Sequence, residues 1–258
     1  MLKNTILLIT VLFVFTCLLC SCAKEGPTGP VGPSGPNYTG TISGHTYLYD
    51  QYGNQVLKNL DSTYLTLLAS VTVASTAVTY TDINGAYSFF NTYTADYVLT
   101  ASHNGYASTQ LNSFPFLLGD LNKDIKMAAI PDSFVAGFRA IHNTGSLYDS
   151  LVVTTISNPL PRNCIIFLNN NSNVNSYYIN GYLLAFIINI PANTTSITKL
   201  ISQDELTSAG FTSGVSMAYY AAYSYVIDDG SVYEDLATGR NVYNAVNTNP
   251  IIDSAIAP

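Results

Sequence analysis

Beyond residue 40 the chain alternates apolar and polar positions, the period of a half-buried strand. Residues 41–49 alternate and run into the turn Asp50-Gln-Tyr-Gly-Asn54. Strand-forming runs follow at 64–69, 71–73, 78–89, 97–106 and 124–128. Within 78–89, Asp82-Ile-Asn-Gly85 interrupts the alternation with a turn signal, which predicts a hairpin. Pro131 then opens a second series of runs, at 133–141, 150–156, 163–168, 181–190, 196–200, 215–227 and 241–246. Asn, Gly, Pro and Asp clusters separate them. One helix is expected, about 203–209, because Ser202-Gln-Asp-Glu205 is a capping box and Gly210 suits the position after the helix. The pattern predicts an all-β protein of two β-sandwich domains, 39–130 and 131–258, the second immunoglobulin-like.

The chain begins differently. Lys3 precedes a charge-free run from Ile6 to Leu19, too short for a membrane-spanning helix and suited to a signal peptide. After residue 22, Gly26, Gly29, Gly32 and Gly35 each precede a proline, giving four collagen-like Gly-X-Y triplets. Proline at every second triplet position favours polyproline II, so the segment reads as a semi-rigid spacer of about 35 Å. With partner chains the same segment could form a short trimeric neck.

Composition narrows the function. Of 258 residues 48% are hydrophobic and only 10% charged, with 20 Tyr, 11 Phe and no Trp. Aromatic content this high supports a packed body rather than disorder. Nine basic against 16 acidic residues give a net charge of −7, and no Lys/Arg cluster occurs, so a nucleic-acid surface is not expected. The histidines, His45, His103 and His142, are isolated, and none precedes a Glu by three positions as a zinc-peptidase pair would. Asp120-Leu-Asn-Lys-Asp124 spaces oxygens like a calcium loop, but Ile125 and Pro131 stand where Gly and Glu are needed. Ser196-Ile-Thr-Lys199 matches Ser-x-x-Lys only in spacing and lies in a strand-like run. No enzyme activity, cofactor or metal is therefore expected. One binding feature stands out: Tyr219, Tyr223 and Tyr225 alternate onto one strand face beside the acidic pair Asp228 and Asp229. Such rings and carboxylates could hold a sugar, or the rings could be core filler.

Leu19-Cys20-Ser21-Cys22 resembles the lipobox of bacterial lipoproteins. The resemblance implies cleavage after residue 21 and lipidation of Cys22, which would anchor the chain to a membrane. Cys17 and Cys20 would then leave with residues 1–21, and Cys164 would remain as a lone thiol in an apolar run. The lipidated cysteine, Glu25 and the Gly-Pro tether at 22–38 together resemble outer-membrane and surface lipoproteins of the Bacteroidetes, implying a surface-exposed or periplasm-facing location. In those proteins Asp-Ser/Thr-apolar tripeptides carry O-glycans, which would single out Ser62, Ser150 and Ser254. Thr81-Asp82, Gly85, Tyr87 and Phe89, followed by Tyr97, Leu99, Ala101, Ser102, Gly105 and Tyr106, resemble the carboxypeptidase regulatory-like domain. That resemblance implies a transthyretin-like β-sandwich without catalytic activity of its own. The expected function is a membrane-anchored binding, adhesion or envelope-assembly module with a glycan or protein ligand. The alternative is a carbohydrate-capture or accessory subunit of an outer-membrane transporter or hydrolase.

Overall fold

The computed structural model describes residues 39–69, 76–117, 119–142, 145–176, 181–227, 231–235 and 238–257. Cys22, the Gly-Pro triplets and the expected strand at 71–73 lie outside these residues. Residues 38–258 form one compact unit. It is almost entirely β.

Among the described residues its N-terminal half has the strands β1 (Thr39–Tyr49), β2 (Gln55–Val56), β3 (Tyr64–Ala69), β4 (Thr76–Tyr80), β5 (Ala86–Tyr93), β6 (Ala95–Ser102), β7 (Thr109–Phe116), β8 (Asp120–Asn122) and β9 (Ile125–Ala128). One sheet is built on β1, which pairs antiparallel with β2 and β5 and parallel with β8 and β9. The facing sheet has the order β4-β3-β6-β7. Ile42, Tyr87, Phe89 and Met127 of the first sheet meet Leu65, Leu99, Phe114 and Phe116 of the second in a single core.

The turn at Asp82-Gly85 forms as the sequence predicts. The Asp82 carboxylate accepts from the backbone N–H of Asn84 and Ala86, and Gly85 is at φ +79°. It does not close a hairpin, however. β4 pairs with β3 and β5 pairs with β1, so the turn carries the chain from one sheet to the other. The cause is tertiary. Thr81 donates its hydroxyl to the Leu60 carbonyl and accepts from Thr63 N–H, holding the end of β4 against β3. Thr46 N–H, on β1, donates to the Gly85 carbonyl. β7 breaks the alternation pattern with Pro115, which is tolerated because β7 lies at a sheet edge.

Two glycines let the parallel strands reach β1. A Cβ on Gly40 would stand 1.8 Å from the Gly119 carbonyl oxygen, and one on Gly44 would stand 1.9 Å from that of Lys123. Only residues without a side chain allow this approach.

In the C-terminal half follow β10 (Val135–His142), β11 (Tyr148–Thr155), β12 (Arg162–Asn169), β13 (Leu184–Ile190), β14 (Ser196–Ser202), α1 (Gln203–Ser208), β15 (Met217–Tyr225), β16 (Val232–Asp235), β17 (Arg240–Tyr243) and β18 (Ile251–Ile256). Sheet β10-β11-β14 packs on sheet β13-β12-β15-β18. First, second and fifth strands on one side, third, fourth, sixth and last on the other, make an immunoglobulin-like sandwich. The core holds Phe138, Leu151, Ile166 and Tyr220, with Leu206 contributed by α1. α1 starts at the capping box: the Ser202 hydroxyl accepts from Glu205 N–H, and the Glu205 carboxylate accepts from Ser202 N–H.

A third layer covers the outer face of β12 and β15. The β16–β17 hairpin, Val174 and Tyr182 bury Ile165, Phe167, Ala221, Tyr223 and Tyr225 in a second core. Both strands are thus buried on both faces, which explains their nearly uninterrupted apolar sequences. The two halves meet through small residues, Ala107 and Ala128 against Val226 and Ala245, all buried. Beside them the Arg162 guanidinium lies over the rings of Tyr52 and Phe134, at 5.8 and 4.8 Å.

Candidate functional site

Where the sandwiches meet, a cleft of about 430 Å³ opens beside the small-residue contact. That volume is in the range of small-ligand pockets, about 300–1,000 Å³. Four tyrosines line it: Tyr106 from the turn after β6, Tyr223 on β15, Tyr233 on β16 and Tyr243 on β17. Among the described residues lining it, none carries a charge.

The walls are closely packed. Tyr243 packs edge-on against Tyr182 and Tyr225, with centroids 5.9 and 6.0 Å away, and on Phe167 at 5.5 Å. Tyr106 stands edge-on to His103 at 5.1 Å. Burial, reinforced by the Asp50 charge, pushes the Tyr106 hydroxyl up, so it stays a neutral donor at physiological pH. On the floor, the Asn247 carboxamide accepts from Ser224 N–H at 2.7 Å and donates to the Asn249 carbonyl at 2.9 Å. The Asn244 amide donates to the Ser108 carbonyl, linking the halves across the cleft. Asn112, on β7, likewise donates to the Glu234 carbonyl on β16.

The far side of β16 differs. A neighbouring cleft of about 390 Å³ is lined by Asp124, Lys126 and Glu234 and shares Tyr233. Tyr233 therefore separates an uncharged cleft from a charged one.

The residues singled out in the sequence fall in several places. Tyr219, Tyr223 and Tyr225 share one face of β15, opposite Tyr220, as alternation predicts. Their rings belong to the second core: Tyr223 is 5% exposed and Tyr225 2%. Tyr225 bonds Ser231 at 3.0 Å, and burial pushes its hydroxyl up to about 12. Of the three, Tyr223 reaches the cleft. Asp228 and Asp229 lie outside the described residues. Nothing in the sequence pattern pointed to Tyr106, Tyr233 or Tyr243 as a group.

Ser62 is exposed in a turn at φ +67°, and Ser254 is exposed on the edge strand β18. Ser150 is half-buried in the central strand β11. Its neighbour Asp149 is fully buried, with one carboxylate oxygen 3.0 Å from His142 Nδ1. Among the described residues the other oxygen has no hydrogen-bond partner, and neither has the buried Tyr220 hydroxyl. Cys164 is buried, and burial raises its thiol to about 12, so it is inert in the native fold. Asp120 and Asp124 accept from Thr41 and His45 N–H, tying the parallel strands to β1. Among the described residues no three His, Cys, Asp or Glu side chains cluster as metal ligands. No helix among them is long and apolar enough to cross a membrane.

No protein-family model matches the chain, and no curated protein matches its sequence. Among solved structures, a candidate carbohydrate-binding protein from Bacteroides uniformis is similar at 15% identity and a TM-score of 0.29, covering 86% of this chain and 100% of that one. A DUF3823 family protein from Parabacteroides merdae is similar at 12% identity and 0.27, covering 82% and 98%. The major pilin subunit BcpA of Bacillus cereus is similar at 12% identity and 0.32, covering 72% and 64%. These likenesses are distant.

Proposed function

We propose that this protein is a non-catalytic binding module of the bacterial cell envelope, held at the outer membrane through a lipidated Cys22. In this reading residues 1–21 are a lipoprotein signal, 22–38 a spacer, and 39–130 and 131–258 two sandwich domains that bind through the cleft between them. The cleft itself carries the reading. Its aromatic walls offer hydroxyls and amides but no carboxylate, imidazole, amine or thiol among the described lining residues. Such a wall can hold a ligand, and its Ser, Thr and Tyr hydroxyls have no carboxylate, imidazole or amine beside them among the described lining residues to activate them for catalysis. The buried small-residue contact and the Asn244–Ser108 hydrogen bond tie the two halves together beside the cleft. Exposed Ser62 and Ser254 are the more accessible of the three O-glycan acceptors in this reading.

Replacing Cys22 by Ala tests the anchor. The variant should leave the membrane fraction for the soluble fraction, and continued sedimentation with membranes would refute lipidation at that residue. Proteinase treatment of intact cells then distinguishes a surface-exposed from a periplasm-facing module. Loss of the C-terminal half without lysis is the surface result.

A further inference from the structure

We infer that the cleft between the sandwiches takes an uncharged saccharide, with Tyr106 and Tyr233 as its stacking surfaces. The inference rests on the reading of that cleft as the binding site. Three features point to this ligand class. First, among the described residues no lining side chain is charged in a chain of net charge −7; Asp124, Lys126 and Glu234 lie in the neighbouring cleft beyond Tyr233, and Asp50 and Asp132 in another that shares Tyr106. A desolvated anion or cation would meet no charged side chain among the described lining residues, whereas a neutral ligand needs none. Second, a pyranose has C–H faces that pack on flat rings and a rim of hydroxyls that need donors and acceptors. Half-buried Tyr106 and Tyr233 combine an aromatic face with a polar tip, and exposed Ser108 and Thr248 lie at the edge. Third, the core side of the cleft is fixed by Tyr243 and by the hydrogen bonds of Asn247, so the geometry is preformed.

The experiment titrates the full-length protein, extracted in detergent, by calorimetry. The probes are neutral gluco-, galacto-, manno- and xylo-oligosaccharides, sialylated and sulfated oligosaccharides, and a mixture of short uncharged peptides. Two variants report on the cleft. Tyr233→Ala removes a stacking face, and Ser108→Trp fills the mouth from an exposed position outside both cores. Unchanged unfolding midpoints establish that they fold, and Ser108→Trp alone suffices if Tyr233→Ala does not. The expected result is binding of a neutral oligosaccharide in preference to the anionic ones, weakened about tenfold or more by either variant. Peptide binding that Ser108→Trp abolishes, with no neutral saccharide bound, would overturn the saccharide while leaving the cleft as the binding site. Binding of any probe that both variants leave unchanged, or no binding at all, would overturn both.

Discussion

The hydroxyl of Tyr220 gives the sharpest test of how the second sandwich is held together. Tyr220 lies on β15 facing the main core, with its ring 6.2 Å from that of Phe138, and it is 0% exposed. Among the described residues its hydroxyl has no hydrogen-bond partner, and the second oxygen of buried Asp149 has none either. Burial first, and the Asp149 charge second, push the hydroxyl well above its ordinary pKa, so it remains protonated throughout the physiological range. An unsatisfied buried polar group costs about 1–3 kcal/mol. Tyr220→Phe removes only that oxygen and leaves the ring, so it should stabilise the protein by about 1 kcal/mol. In a domain pair of this size that corresponds to a rise in Tm of about 2–4 °C. Urea unfolding of both proteins measures it, and the midpoint should rise at an unchanged slope. A fall of about 1 kcal/mol would refute the reasoning. It would show that the hydroxyl is satisfied in solution, with a water bridging Tyr220 and Asp149 as the obvious partner. A double-mutant cycle with Asp149→Asn would then give a coupling energy clearly different from zero.

Other outcomes follow from the same structure. Burial raises the Asp149 carboxyl above its ordinary pKa despite the opposing hydrogen bond and charge of His142. Its contribution to stability is therefore fully present below the unfolded carboxyl's pKa and is lost as pH rises through the higher folded value. The stability of Asp149→Asn relative to the parent should accordingly increase with pH across that window, and a flat difference in urea midpoints would contradict it. Asp50 behaves oppositely. Burial pushes its carboxyl up, but the Asn54 side chain and the backbone N–H of Asn54 and Tyr52 outweigh this and hold it low. Its stabilisation is present above the unfolded pKa and lost in acid, so only the difference curve isolates Asp149. Gly44→Ala should destabilise by about 3 kcal/mol or more, because the new methyl would meet the Lys123 carbonyl at 1.9 Å. Thermal unfolding checks this, and a loss below about 1 kcal/mol would mean that β8 and β9 can shift away without cost.

Much of the architecture is written locally. Alternation marks β1, β5, β6 and β11 because one face of each lies on a core, and a period of two is the direct record of that burial. Ser202 and Glu205 mark the start of α1 because a capping box satisfies its own backbone donors within four residues. Asp82 and Gly85 mark a turn for the same local reason. The apolar run around Cys164 goes with its burial in the core. Short strands are less legible. β8, β16 and β18 are too brief or too polar to show a period, and Pro115 disguises β7, whose edge position excuses it.

Partner choice was decided only in three dimensions. The residues flanking Asp82-Gly85 look like a hairpin, yet Thr81 and Thr46 assign them to different sheets through contacts with residues distant in sequence. Tyr223 and Tyr225 alternate like a displayed aromatic face, but a pattern of two says only that a face is shared. It cannot say whether solvent or a β16–β17 hairpin covers that face. The cleft is the extreme case. Tyr106, Tyr223, Tyr233 and Tyr243 come from four separate elements, and no local energy term links them. Small side chains at Ala107, Ala128, Val226 and Ala245 let the two sandwiches approach closely enough to bring those rings together. Burial periodicity is a property of each segment, whereas a binding site is a property of how the segments close on one another.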